Sequence, residues 1–142
     1  MRVKFDKILQ TIRESDTPIR VSESSKTTLD GTCNSTADVG DAVYVDSNGL
    51  FQKASASSKT EVHVIGFIDS KSSSTTCKIV TSGIMDKMSG LITGQDYFLS
   101  ETSGKITTTP PTTSGSITTH VGKAINSTTL MVGLSNVYTI RS

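Results

Sequence analysis

Apolar residues in this chain fall into three patterns. Over residues 1–16, Phe5, Ile8, Leu9 and Ile12 recur at i, i+3, i+4 and i+7 with Lys4, Asp6, Lys7, Gln10, Arg13 and Glu14 between them. That spacing predicts an amphipathic helix, which Ser15-Asp16-Thr17-Pro18 ends. A helix this short is marginal alone and needs a surface to lie on, so these four side chains form a candidate docking stripe. Residues 17–38 are polar and read as a linker, with one alternating stretch at Ile19-Arg20-Val21 suited to an edge strand.

From residue 39 onward the apolar runs are short and bounded by turn formers, which predicts strands. Val43-Tyr44-Val45 runs into Asp46-Ser47-Asn48-Gly49, a hairpin signal, and Leu50-Phe51-Gln52-Lys53-Ala54 follows. Residues 62–68 read as one strand with a bulge at Gly66, and Cys77-Lys78-Ile79-Val80 as the next. Tyr97-Phe98-Leu99, Lys105-Ile106-Thr107, residues 117–121 and Leu130-Met131-Val132 continue the series at the spacing of a sandwich or barrel.

This last zone repeats its own layout. Gly40-Asp41-Ala42-Val43-Tyr44-Val45 followed by Asn48-Gly49-Leu50-Phe51 matches Gly94-Gln95-Asp96-Tyr97-Phe98-Leu99 followed by Ser103-Gly104-Lys105-Ile106. Val64-Ile65-Gly66-Phe67-Ile68 then matches His120-Val121-Gly122-Lys123-Ala124, and Thr76-Cys77-Lys78-Ile79-Val80 matches Thr128-Thr129-Leu130-Met131-Val132. The expected fold is all-β, a β-sandwich or barrel of two similar small β units behind a short N-terminal helix. The units are set at residues 39–90 and 91–142, together one compact β domain.

Composition narrows the function. Apolar residues are 34% and aromatic ones 5%, with no Trp, so the core is built from Val, Ile, Leu and Ala and is lean. A small domain with a lean core gains from being covered by an oligomer or scaffold. The formal net charge of +1 supplies no long-range field for a polyanion, which argues against nucleic-acid binding. Ser and Thr make up roughly three residues in ten, giving a surface that is polar without being charged. No apolar run approaches the ~20 residues that cross a bilayer, and residues 1–16 have no signal-peptide pattern, so synthesis in a cytoplasm and no membrane partner are expected.

No set of side chains has the spacing of a catalytic constellation. His63 and His120 sit beside apolar neighbours on predicted strands and read as satisfied strand histidines. Cys33 and Cys77 have no metal-ligand spacing and no adjacent His, and read as free thiols. Asp38, Asp41 and Asp46 lack the glycine and terminal glutamate of a calcium loop and read as turn formers. No catalytic residue, cofactor or metal site is assigned. The longest stretch without an apolar pattern, residues 104–115, is expected to lie extended at the surface, with Thr109, Pro110, Pro111 and Thr112 as a contact loop.

The run Leu91-Ile92-Thr93-Gly94-Gln95-Asp96-Tyr97-Phe98-Leu99-Ser100, then Gly104-Lys105-Ile106-Thr107-Thr108 and Pro110-Pro111, then Val121-Gly122-Lys123-Ala124-Ile125 and Leu130, resembles a β segment of tailed-bacteriophage virion proteins, found in capsid decoration proteins and in head or tail fibres. Residues 39–83 are similar to the β-barrel grammar of capsid cement proteins, and residues 4–16 to N-termini of phage structural proteins. The resemblance implies a non-enzymatic virion protein that decorates, cements or joins the capsid. It would be a homo-oligomer, with a trimer favoured, docked on the major capsid or another virion protein. A tail-fibre or adhesin module contacting a host receptor is the alternative; the absence of Trp argues against a sugar site.

Overall fold

The computed structural model describes residues 26–134 and 139–140, and within them the chain is all β. The helix expected over residues 1–16, with Phe5, Ile8, Leu9 and Ile12, lies outside the described residues, as does Ile19-Arg20-Val21. The strands are β1 (Lys26–Thr32), β2 (Ala42–Val45), β3 (Phe51–Lys53), β4 (Gly66–Lys71), β5 (Thr76–Met85), β6 (Asp96–Leu99), β7 (Ile106–Thr107), β8 (Ile117–Thr118), β9 (His120–Asn126), β10 (Thr129–Val132) and β11 (Thr139–Ile140). Nine of them form one curled antiparallel sheet, a half-barrel, ordered β3-β2-β4-β5-β10-β9-β6-β7 with β1 added to β5; β8 and β11 pair separately.

β5 is the spine. Val80 pairs with Thr28 of β1 and Phe67 of β4, and Gly83 with Lys26 of β1 and Val132 of β10. A residue has one partner on each edge, so β1 covers one edge of β5 while β4 and then β10 follow each other along the other. The sheet curls until the chain just past β1 reaches β3: Cys33 bridges Phe51, and the Asn34 N–H donates to the Phe51 carbonyl at 2.9 Å. Gly31 makes this closure fit, because a Cβ there would sit 2.4 Å from the Phe51 ring.

Matched positions in the two halves carry the same backbone contacts. The Gly40 N–H donates to the Ile68 carbonyl and the Gly94 N–H to that of Ala124, both at 2.8 Å. Ile68 donates to Asp41 and Ala124 to Gln95, both at 3.0 Å. Gly49 and Gly104 close the two hairpins with φ of +80° and +79°, which only glycine adopts freely. Gly66 and Gly122 serve close approach instead: a Cβ would lie 2.4 Å from the Val80 carbonyl oxygen and 2.3 Å from that of Met131. The match slides by one residue on the last strand, since Ile68 faces Ile79 while Ala124 faces Leu130.

Two apolar clusters lie on opposite faces of the β4–β5 pair. Ile68 and Ile79 join Cys33, Ala37, Val43, Phe51 and Cys77 on one face; Phe67 and Val80 join Met85, Leu99, Val121, Leu130 and others on the other. Buried on both faces, the start of β4, Gly66-Phe67-Ile68, does not alternate apolar with polar residues.

Three expectations are corrected. The strand expected over 62–68 begins only at Gly66. Val62 and Val64 reach the core from irregular backbone, where the Val64 N–H turns back onto the Val62 carbonyl at 2.9 Å, and His63 is therefore not on a strand. The polar stretch 17–38 contains a seven-residue strand, β1, held by its ladder to β5 and mostly exposed on both faces, so it carries no apolar signal. The stretch 104–115, expected at the surface, has Gly104 and Pro111 buried, while Ile106–Thr107 forms β7 as the Lys105-Ile106-Thr107 pattern predicts.

Candidate functional site

A cleft of about 270 Å³ is lined by residues 39–41, 87–91, Tyr97 and residues 104–106. Gly104 knits its floor into both halves: its N–H donates to Ala54 at 2.7 Å and its carbonyl accepts from Ala42 at 2.9 Å. Asp41 is buried beneath. Its Oδ2 accepts the Asp38 N–H at 2.9 Å, and its Oδ1 takes the Lys105 ammonium at 3.1 Å. Val39 stands exposed at the rim, while Met88, Leu91 and Ile106 give apolar walls.

A second charged cluster adjoins one wall. The Lys26 side chain is 3% exposed and donates to Asp86 at 3.0 Å and Asp69 at 3.2 Å; the Lys87 ammonium is 3.5 Å from Asp69. Burial opposes the charge on Lys26, but the hydrogen bonds and charges of Asp86 and Asp69 outweigh it and raise the pKa above the ordinary lysine value. Burial likewise opposes ionisation of Asp86, and Lys26 and Lys87 overcome that to hold its carboxyl below the ordinary range. The cluster pins the entry of the chain into the fold.

Of the residues singled out for chemistry, Asp38 and Asp41 meet at this cleft, while His120 and Asp46 are engaged elsewhere. His120 opens β9, with Nδ1 at 3.1 Å from the Gly133 carbonyl, Nε2 at 3.3 Å from Asp96, and Phe98 packed edge-on at 5.6 Å. Asp46 accepts the N–H groups of Asn48 and Leu50 and the Gln52 amide, all at 2.9 Å, and so shapes its hairpin. Thr109, Pro110, Pro111 and Thr112 line a shallow depression of about 240 Å³ beside Ser100, Glu101 and Thr107; Pro111 is buried and the other three stand out to solvent. Among the described residues no group of three or more His, Cys, Asp or Glu is placed to hold a metal, and no helix is long and apolar enough to cross a membrane.

Cys33 and Cys77 are both buried free thiols brought into hydrogen-bond contact. Burial, then the neighbouring Cys33 thiol, push Cys77 up to about 12 from an ordinary 9.0, which lowers its thiolate population roughly a thousandfold. Alkylation of the native protein at pH 8 should therefore leave Cys77 unmodified on a timescale that fully labels the urea-unfolded chain. Mass spectrometry of the quenched products measures this, and equal rates in both states would contradict the burial argument.

Sequence reasoning missed the cleft and the Lys26 cluster. Lys26 and Asp69 are 43 residues apart, Lys26 and Asp86 60, Asp41 and Lys105 64, and no spacing rule links such positions. No protein-family model, curated protein or solved structure matches this chain.

Proposed function

We propose that this chain is a non-enzymatic structural protein of a tailed-phage virion that decorates, cements or joins the capsid. It would assemble with copies of itself, a trimer being favoured, and dock on the major capsid or another virion protein. The observation that carries this reading is where the resemblance falls. Tyr97-Phe98-Leu99, Ile106-Thr107, Val121-Gly122-Lys123-Ala124 and Leu130 sit on β6, β7, β9 and β10, four strands that pair with one another. The residues that carry the resemblance thus lie together on one set of paired strands.

The same reading takes the two halves as copies of one β unit. Under the pairing β2 with β6, β3 with β7, β4 with β9 and β5 with β10, the strand order reads outward identically from the middle of the sheet. The last residues of β5 then stand beside β10 as β1 stands beside β5. On this reading one copy of the layout gives way to the next inside β5, near residue 81. A chain built from two small units has a thin core in each, which favours assembly with neighbours.

Docking is assigned to Phe5, Ile8, Leu9 and Ile12. Each such side chain contributes about 1.5 to 3 kcal/mol when fully buried, before ordering costs, and identical copies on a symmetric shell add avidity. Leu9→Asp combined with Ile12→Asp should abolish co-sedimentation with particles while the far-ultraviolet β spectrum stays unchanged. Undiminished co-sedimentation of the folded double variant would remove the helix from this reading, and antibody labelling at the tail tip would replace the capsid with the fibre alternative.

A further inference from the structure

We propose that the cleft between residues 87–91 and β7 is a strand-docking seam whose occupant is this chain's own segment around Ile19-Arg20-Val21. The inference stands on the contrast between the two halves and does not depend on the virion reading.

In the first half, β3 is closed on its outer edge. Asp46 donates its N–H to the Leu50 carbonyl at 3.0 Å, so the next pair, Val45 and Phe51, is one whose peptide groups point away from each other, and the outward Phe51 carbonyl takes the Asn34 N–H. The second hairpin has the same geometry. Ser100 donates to the Lys105 carbonyl at 2.9 Å, which turns the peptide groups of Ile106 outward from β6. Ile106 lines the cleft, β7 is the last strand of the sheet, and among the described residues no backbone group of a turn or loop takes these groups. The seam that the first half closes with its own chain has no such partner among the described residues of the second.

Three observations favour the chain's own segment as occupant. The chain enters the described fold at Lys26, fixed to Asp86 and Asp69 beside Lys87, which is itself the first residue of the cleft wall. Five Cα steps separate Val21 from Lys26, a reach of roughly 17 Å when extended. The walls and charges also complement it. Ile19 and Val21 alternate about Arg20, as a strand presenting two side chains to the apolar lining of Val39, Met88, Leu91 and Ile106 would require. Asp16 and Glu23 lie on either side of that tripeptide, and the cleft carries Lys87 and Lys105, which stay 46% and 63% exposed while bridging Asp69 and Asp41. Pro18, lacking an N–H, marks where pairing would stop.

The test compares the full chain with an Ile19→Asp, Val21→Asp variant by hydrogen exchange, and treats the full chain with a water-soluble carbodiimide to join carboxylates to lysines in contact. The expected result is that the Ile106 amide exchanges about tenfold or more faster in the variant. The amides of β4 and β5 should be unchanged, reporting an intact fold. Peptide mapping should find Asp16 or Glu23 coupled to Lys87 or Lys105 within one chain. Equal exchange at Ile106, or no such coupling, overturns the proposal. Coupling found only between isotopically distinct copies overturns it too, because the occupant is then supplied by a second molecule.

Discussion

Gly66→Ala and Gly122→Ala are each expected to destabilise the fold by about 3 kcal/mol, lowering the thermal midpoint by roughly 10 °C. The reason is steric. Each added methyl would lie within 2.4 Å of a carbonyl oxygen on the neighbouring strand, Val80 for Gly66 and Met131 for Gly122, and a strand in the middle of a sheet cannot withdraw without breaking its ladder. Neither glycine has a positive φ, so conformational preference contributes little. Gly49→Ala provides the contrast. Its φ is +80° but nothing lies within 4 Å of the added Cβ, so the cost should be only about 1 kcal/mol. Urea unfolding of the three variants measures the ordering, and a Gly49 variant as damaged as the other two would show that turn conformation, not strand approach, sets these positions.

Lys26→Met is the second large effect. The substitution keeps an unbranched side chain, one atom shorter, but leaves Asp69, whose side chain is 8% exposed, without its nearest ammonium. Stranding a buried charge costs about 3 to 5 kcal/mol, and the lower figure is expected here because Lys87 remains 3.5 Å from Asp69. Adding Asp69→Asn to Lys26→Met should recover part of the loss, and the double-mutant cycle reports the coupling.

The pH dependence has a definite sign. The raised pKa of Lys26 means its contribution is complete below the ordinary value of 10.5 and fades as pH climbs past it. The lowered pKa of Asp86 means its contribution is complete above 3.8 and fades as pH falls below that. The stability gap between native protein and Lys26→Met should therefore be widest between these limits and shrink on either side. A gap that widened in acid would exclude the Lys26–Asp86 ion pair as its source.

The strands and hairpins that carry their own instructions were legible in the sequence. Val43-Tyr44-Val45, Cys77-Lys78-Ile79-Val80, Tyr97-Phe98-Leu99 and Leu130-Met131-Val132 all lie in strands, because short apolar runs between turn formers constrain the backbone locally. Gly49 marked a turn by the same logic, and it and the repeat landmarks Gly40, Gly94 and Gly104 each have a positive φ. Strand β1 was not legible. Its Lys-Thr-Thr-Leu-Asp-Gly-Thr sequence buries little, and it is a strand because β5 offers it an edge. Residues 62–65 were misread for the opposite reason: their apolar side chains fill the core without a ladder to hold.

Local sequence determined the β character of this chain, its turns and the recurrence of one layout along it. Tertiary structure alone decided that Gly66 and Gly122 sit against a neighbouring carbonyl, that Lys26 neutralises two aspartates, and that one hairpin edge is closed while its counterpart faces a cleft. Those features depend on distances between residues far apart in the chain. Backbone propensity and periodicity act over a few residues, whereas which edges meet is fixed only when the whole sheet has curled.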